Sequence, residues 1–215
     1  MTNTTYDLRE VPLSCVRALC ERFHGYGSAG NASVYAFGVW EGNEMIAGYA
    51  WQPPPPGAAR AVCPEAPQGV LALSRMVAVP RDQRRLNHVS RPLRRQMRRL
   101  IDRTRWPVLL TYSDEGQGHT GHVYKCSGWE ETTRESRPYF VDGNGRRASS
   151  YSNGRHGSRA LQRGGTTTIQ RWEHWACGRG EAADWMTQHG WQRVPIPGKR
   201  WRSGNQAFTY RQRAA

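Results

Sequence analysis

The sequence predicts an α/β fold of the mixed α+β kind, a mainly antiparallel sheet flanked by helices. Two β-leaning apolar runs, 34–40 and 45–51, are joined by the short turn Glu41-Gly42-Asn43-Glu44, which makes an antiparallel hairpin. Two further apolar runs, 70–79 and 108–112, are separated by a segment from Ser90 whose apolar residues recur at helical spacing. At 215 residues the chain is long enough for one domain with a real core.

Residues 11–24 place Val11, Cys15, Val16, Leu19, Cys20 and Phe23 on one side of a helix that Gly25 ends. A Gly/Ser/Asn loop leads to the hairpin, and Pro53 to Pro56 then stop the sheet and stiffen its exit. The strand 70–79 ends at Pro80, and a loop over 81–89 reaches Ser90, a good N-cap residue with Pro92 tolerated in the first turn. In the helix that follows, Leu93, Met97, Leu100 and Ile101 form the apolar stripe, and Arg91, Arg94, Arg95, Arg98 and Arg99 cover the rest. Those arginines suit a solvated face; with the amides of a helix N-terminus they also suit the phosphates of a nucleotide-like cofactor or of DNA.

Trp106 to Trp129 is the stretch with most chemistry. The strand 108–112 leads into Ser113 and Asp114, and a carboxylate at the end of a buried strand sits where open α/β sheets place ligands. Gly116-Gln117-Gly118-His119-Thr120-Gly121-His122 follows, with three glycines that let the backbone turn sharply. Asp114 could equally cap that turn. Glu131 to Val141 then reads as a strand and 142–145 as a turn. Residues 146–165 are basic, Ser/Gly-rich and nearly free of aliphatic side chains, the composition of a flexible loop that could follow a phosphate backbone. Beyond it come the strand-like 166–172, a helix near Glu181 to His189, and β-like pieces at 191–196 and 207–210. The expected organisation is a core over 1–145, a loop over 146–165, and a segment 166–215 that completes the same domain. Five of the nine tryptophans fall in this last part; aromatics interleaved with arginine can stack on unpaired bases, but core packing is their commoner use.

The charge balance is lopsided, 31 Lys+Arg against 17 Asp+Glu for a formal net charge of +14, with Lys125 and Lys199 the two lysines. Arginine suits bidentate contact with phosphate, and a field of this sign favours a polyanion, duplex DNA above all. Five cysteines without a CxxC pair argue against a disulfide framework or structural zinc. No run reaches membrane-spanning length and the N-terminus lacks a signal-peptide pattern, so a reduced, cytoplasmic protein of a host bacterium is expected, with no membrane partner.

Three blocks carry a resemblance: FHGYG with YAFGVWEGNEMIAGYAW, then LSRMVAVPRDQRRLNHVSRPL, then YSDEGQGHTGHVYKCSGW, together covering roughly 20–135. The order of elements is similar to that of the GNAT (N-acetyltransferase) fold, and within it the chain resembles the Mom family of phage DNA-modification proteins. The resemblance implies an enzyme that adds a carbamoylmethyl (acetamido-type) group to N6 of adenine in DNA and so shields it from host restriction. It implies an active-site cleft with His24, Ser113, Asp114, His119 and Tyr124 as catalytic candidates, and Arg75, Val77, Asn87 and Ser90 toward an acetyl-CoA or related acyl donor. The loop Gln83 to Arg91 departs from the usual Gly-rich pattern in holding no glycine. A carbamoylmethyl group is joined through its methylene carbon, which plain attack on the carbonyl of acetyl-CoA does not give. A bound iron could supply harder chemistry, with His24, His119, Asp114 and Tyr124 the candidate ligands by residue type. On this reading His119 is base or ligand, Asp114 orients the amine or anchors a histidine, Tyr124 is the acid, and the target adenine is flipped out of the duplex. Arg91, Arg94, Arg95, Arg98, Arg147 and Arg155 would hold the DNA backbone. A small-molecule or protein N-acetyltransferase and a non-catalytic DNA-binding protein are the alternatives, and a homodimer is left open.

Overall fold

A computed structural model describes residues 6–25, 33–84, 89–141, 143, 145, 147–148, 162–200 and 206–213. Its main sheet has eight strands in the order β1-β2-β3-β4-β5-β8-β6-β7, antiparallel throughout except for the pair β4 and β5. The strands are β1 (Asp7–Glu10), β2 (Tyr35–Glu41), β3 (Glu44–Gln52), β4 (Val70–Ala78), β5 (Val108–Asp114), β6 (Glu130–Val141), β7 (Arg147–Ala148) and β8 (Gln162–Trp175). The helices are α1 (Leu13–Phe23), α2 (Pro56–Val62), α3 (Ser90–Ile101), α4 (His122–Cys126) and α5 (Ala182–Gln188). A second sheet of two strands, β9 (Trp191–Arg200) and β10 (Gln206–Gln212), lies outside the main one.

The apolar runs are continuous because both faces of the sheet are covered, and successive strand residues point to opposite faces. Phe37, Tyr49, Trp51, Leu71 and Leu109 pack against Leu93, Met97 and Leu100 of α3. Their neighbours Ala36, Ala50 and Val77 face Val16, Leu19 and Cys20 of α1, while Val70, Ala72, Val108 and Leu110 face Ala59 of α2, Met186 of α5 and Phe208 of β10. Trp51 Nε1 donates to the buried Gln96 Oε1 at 3.0 Å, which fixes the rotation of α3 about its axis. Arg94, Arg95 and Arg98 are thereby turned to solvent.

Several expectations needed correction. The strand at 7–10 was missed, because Asp7-Leu8-Arg9-Glu10, with one apolar residue among three charged ones, is too short to carry a periodic signal. Pro53 to Pro56 end β3, yet Pro56 also starts α2, since a proline at the first helical position forgoes only an N–H that has no partner there. Within the loop expected over 146–165, residues 147–148 and 162–165 are strand, paired with β6, because ladder bonds along β6 need no aliphatic side chain. The stretch 149–161 lies outside the described residues, as do Asn87 and Arg155 and the side chain of Arg147.

Candidate active site

The parallel pair β4 and β5 is joined over three residues only, Val70 to Ala72 against Val108 to Leu110. Beyond them the strands part. A bulge between Leu73 and Arg75, with the Ser74 hydroxyl bonded to Ala50 O at 3.0 Å, keeps β4 with β3, while β5 runs on beside β8 to Asp114. Thr111 Oγ1 donates to Leu73 O at 3.1 Å in the crotch of the V. From there, among the described residues, β4 has a strand partner on the β3 side only, and its other side lines a cleft of about 780 Å³. The N-terminus of α3, the turn 118–121, α4 and parts of β6 and β8 form the remaining walls.

Asp114 is both cap and cleft residue. It is 7 % exposed, accepts from Gly116 N at 3.0 Å and from the Thr167 hydroxyl across the ladder, and lines the cleft. His119 stands beside it in the turn. Burial lowers the His119 pKa, against the Asp114 carboxylate, which acts to raise it. His24, at the end of α1, is pushed down to about 4, first by burial and then by the Arg75 guanidinium and His119. Both imidazoles are therefore held toward the neutral form, able to accept a proton. Tyr124 is buried, hydrogen-bonded to the Thr111 side chain, and its pKa is raised by burial, so the hydroxyl keeps its proton.

Gly121 in the turn is a packing requirement. Gly121 has φ +70°, and a Cβ there would lie 2.1 Å from Cζ2 of Trp172. The indole closes on the bare backbone and donates from Nε1 to Ser113 Oγ at 2.9 Å, and Ser113 in turn donates to Gln170 Oε1 at 2.6 Å. Ser113 is thus tied up inside the wall. A second hollow of about 410 Å³ adjoins the cleft, lined by Ser90, Arg91, Arg94, Arg95 and Arg98 of α3 with Tyr6, His122 and Cys126. Arg94 Nη2 donates to Cys126 O at 2.7 Å, and among the described residues none of these arginines has a carboxylate within ion-pair distance.

The structure brings His24, Arg75, Ser90, Ser113, Asp114, His119 and Tyr124 to one cleft. Val77 is a correction: its side chain is core beneath α1, because alternation along β4 turns it to the face opposite Tyr49. The two histidines of the GHTGH segment diverge, His119 toward Asp114 and His24, His122 toward Cys126. No three His, Cys, Asp or Glu side chains among the described residues gather as a metal-holding group, and Arg75 places a cation at His24, so the residues do not fit the iron set expected from their types. Thr167 and Gln170 went unnoticed in the sequence, and Trp172 was read only as one of the C-terminal tryptophans; their signal is the β5–β8 register, which pairs Ser113 with Gln170, 57 residues on, and Thr111 with Trp172.

The solved structures to which this fold is similar include acetyltransferases. The ribosomal-protein-S18-alanine N-acetyltransferase from Escherichia coli superposes with a TM-score of 0.51 at 14% identity, over 82% of this chain and 97% of that one. A probable acetyltransferase from Staphylococcus epidermidis gives 0.50 at 12% identity, over 80% and 100%. The mixed, mainly antiparallel sheet flanked by helices is therefore that of a GNAT-like fold. No curated protein matches the chain. The Mom family model matches residues 5–182, the whole span that builds the cleft and its walls, and the chain belongs to the Mom protein family.

Proposed function

We propose that this chain modifies adenine in DNA at N6, giving the carbamoylmethyl (acetamido-type) product; an acyl thioester of the acetyl-CoA class supplies its two-carbon unit, and joining that unit through its methyl carbon as an amide further consumes a nitrogen donor and a two-electron oxidant. The observation that carries the reading is the splayed cleft itself. It sets an open strand edge, a pair of neutral imidazoles and an arginine-lined hollow side by side.

Each part has a task. Beyond Ala72 the cleft-side edge of β4 is not paired with β5 and lines the cleft, a setting in which an extended amide-bearing chain can lie along a strand as a peptide does. Ser90 and the first amides of α3 suit a phosphate, by hydrogen bond and helix dipole together. A thioester, when bound, supplies an activated carbonyl beside the splayed strands. His119 Nε2 or Nδ1 accepts a proton from the acceptor amine, with the Asp114 carboxylate stabilising the imidazolium that forms. Tyr124 holds a proton at its hydroxyl for a leaving group. Arg91, Arg95 and Arg98 meet the DNA backbone outside the cleft, where phosphate contacts position the duplex without reading sequence.

The test is to incubate the purified chain with duplex DNA and acetyl-CoA labelled in the acetyl group, then digest to nucleosides. Label in an adenine nucleoside supports the reading, and fragmentation distinguishes an N6–CH₂ from an N6–carbonyl linkage. Label in protein or polyamine but never in DNA would move the chain among ordinary acetyltransferases.

A further inference from the structure

Cys126 is the one exposed cysteine of the five; Cys20 and Cys63 are buried, and Cys15 and Cys177 half-buried. Its Sγ lies 3.3 Å from Nε2 of His122, one turn earlier on α4. The pair stands where the two hollows meet, since both residues line the cleft and the arginine-lined recess. Around it, Arg91, Arg94, Arg95 and Arg98 come from α3 and Tyr6 from the N-terminal segment, with Lys125 next to Cys126 in the chain; among the described residues no carboxylate lines the recess. Arg94 is bonded to the backbone carbonyl of Cys126 itself. An accessible thiol in contact with an imidazole, in a recess whose lining carries four arginines, is a setting that favours a nucleophilic sulfur. Nothing in the packing calls for it. Neither side chain contributes to a core cluster, and the short helix is held in place by Tyr124, by Ser127 Oγ bonded to Ser90 O at 3.1 Å, and by Gly121 against Trp172.

We propose that Cys126 and His122 form a thiol–imidazole dyad that takes the acyl group from a thioester donor and holds it as an S-acyl cysteine before onward transfer. His122 Nε2 accepts the Cys126 proton as the sulfur attacks the thioester carbonyl. The new bond is Cys126 Sγ to the acyl carbon, the bond broken is the donor's carbon–sulfur bond, and the leaving thiolate takes the proton back from the imidazolium. One thioester is exchanged for another, so the step needs no oxidant or reductant. The proposal rests on the acyl-thioester reading of the donor, and it makes the Mom-family cleft a two-stage site with the acyl group parked at its mouth.

The probe is a small acetyl thioester, acetyl-N-acetylcysteamine, given to the full-length chain without DNA, with acid quenching and peptide mass mapping. The expected result is acetyl on Cys126, absent in Cys126→Ser and formed roughly tenfold or more slowly in His122→Asn. Alkylation by iodoacetamide at pH 7 gives an independent readout: Cys126 should react roughly tenfold faster than glutathione, and His122→Asn should remove the difference. Labelling of Cys126 no faster than glutathione, or no slower in His122→Asn, overturns the dyad. Because the probe needs neither DNA nor a bound nucleotide, the two readings fail separately. A chain that modifies adenine while Cys126 stays unacylated overturns the dyad alone, whereas an acylated Cys126 in a chain that never modifies DNA overturns the DNA reading alone.

Discussion

Gly121→Ala tests whether the wall between the turn and Trp172 is as tight as its geometry says. The backbone there has φ +70°, where an alanine costs about 1–2 kcal/mol. The added methyl would sit 2.1 Å from Cζ2 and 2.6 Å from Cε2 of Trp172, whereas carbons rest about 3.5–4.0 Å apart, so the indole would have to retreat by well over an ångström. It has no room to do so: Trp172 is 4 % exposed, bonded to Ser113, and its ring centroid is 5.9 Å from that of Tyr124. Overpacking of this kind costs about 1–3 kcal/mol more, for a total of about 2–5 kcal/mol. Gly118→Ala is the control, with φ +74° but no atom within 4 Å of its new methyl, so it carries the backbone cost alone. For a chain of this size the extra 1–3 kcal/mol is about 2–12 °C in melting temperature, read by calorimetry on both variants side by side. Equal losses in the two would show that Trp172 does not press on the turn and would refute the packing argument.

Asp114→Asn keeps the acceptor oxygen that Gly116 and Thr167 use but removes the charge beside His119; stability should fall by about 1 kcal/mol or less and modification by roughly a hundredfold or more. A fully active Asp114→Asn protein removes the carboxylate from the mechanism. His24 gives a pH dependence of definite sign. Its pKa falls from the ordinary 6.5 to about 4 on folding, so between these values the unfolded chain binds the extra proton and stability is lost as pH falls through that window. The melting temperature of His24→Gln should drop less than wild type between pH 7 and pH 4, and parallel curves would contradict the burial of a neutral imidazole. Replacing Arg91, Arg95 and Arg98 by Ala, while leaving Arg94 on the Cys126 carbonyl, should weaken duplex binding and make the log–log salt dependence shallower by about 2–3. An unchanged slope would place the DNA surface elsewhere.

The sheet was legible wherever strands carry their own periodicity. Val70 to Ala78 and Val108 to Asp114 are buried on both faces and read as apolar runs, and the α3 stripe of Leu93, Met97 and Leu100 fixed the crossover between them. Illegible were elements whose stability comes from neighbours: β1, held by its register against β2, and 162–165, polar residues held by the β6 ladder. The cleft was half legible. Asp114 and His119 were findable because a carboxylate and a histidine flank glycines at the end of a buried strand. Thr167, Gln170 and Trp172 were not, since antiparallel pairing brings them in from far along the chain. Val77 came with the block LSRMVAVPRDQRRLNHVSRPL that carries the resemblance; Arg75 and Met76 of that block line the cleft, whereas the Val77 side chain packs under α1.

The most direct test of the central claim is the nucleoside composition of DNA from bacterial cells expressing this chain, resolved by mass spectrometry beside cells expressing Asp114→Asn. Adenine carrying a carbamoylmethyl group at N6 in the first sample, and its near absence in the second at equal protein level, is the predicted result. Unmodified adenine in both, with soluble, folded protein present, would contradict it.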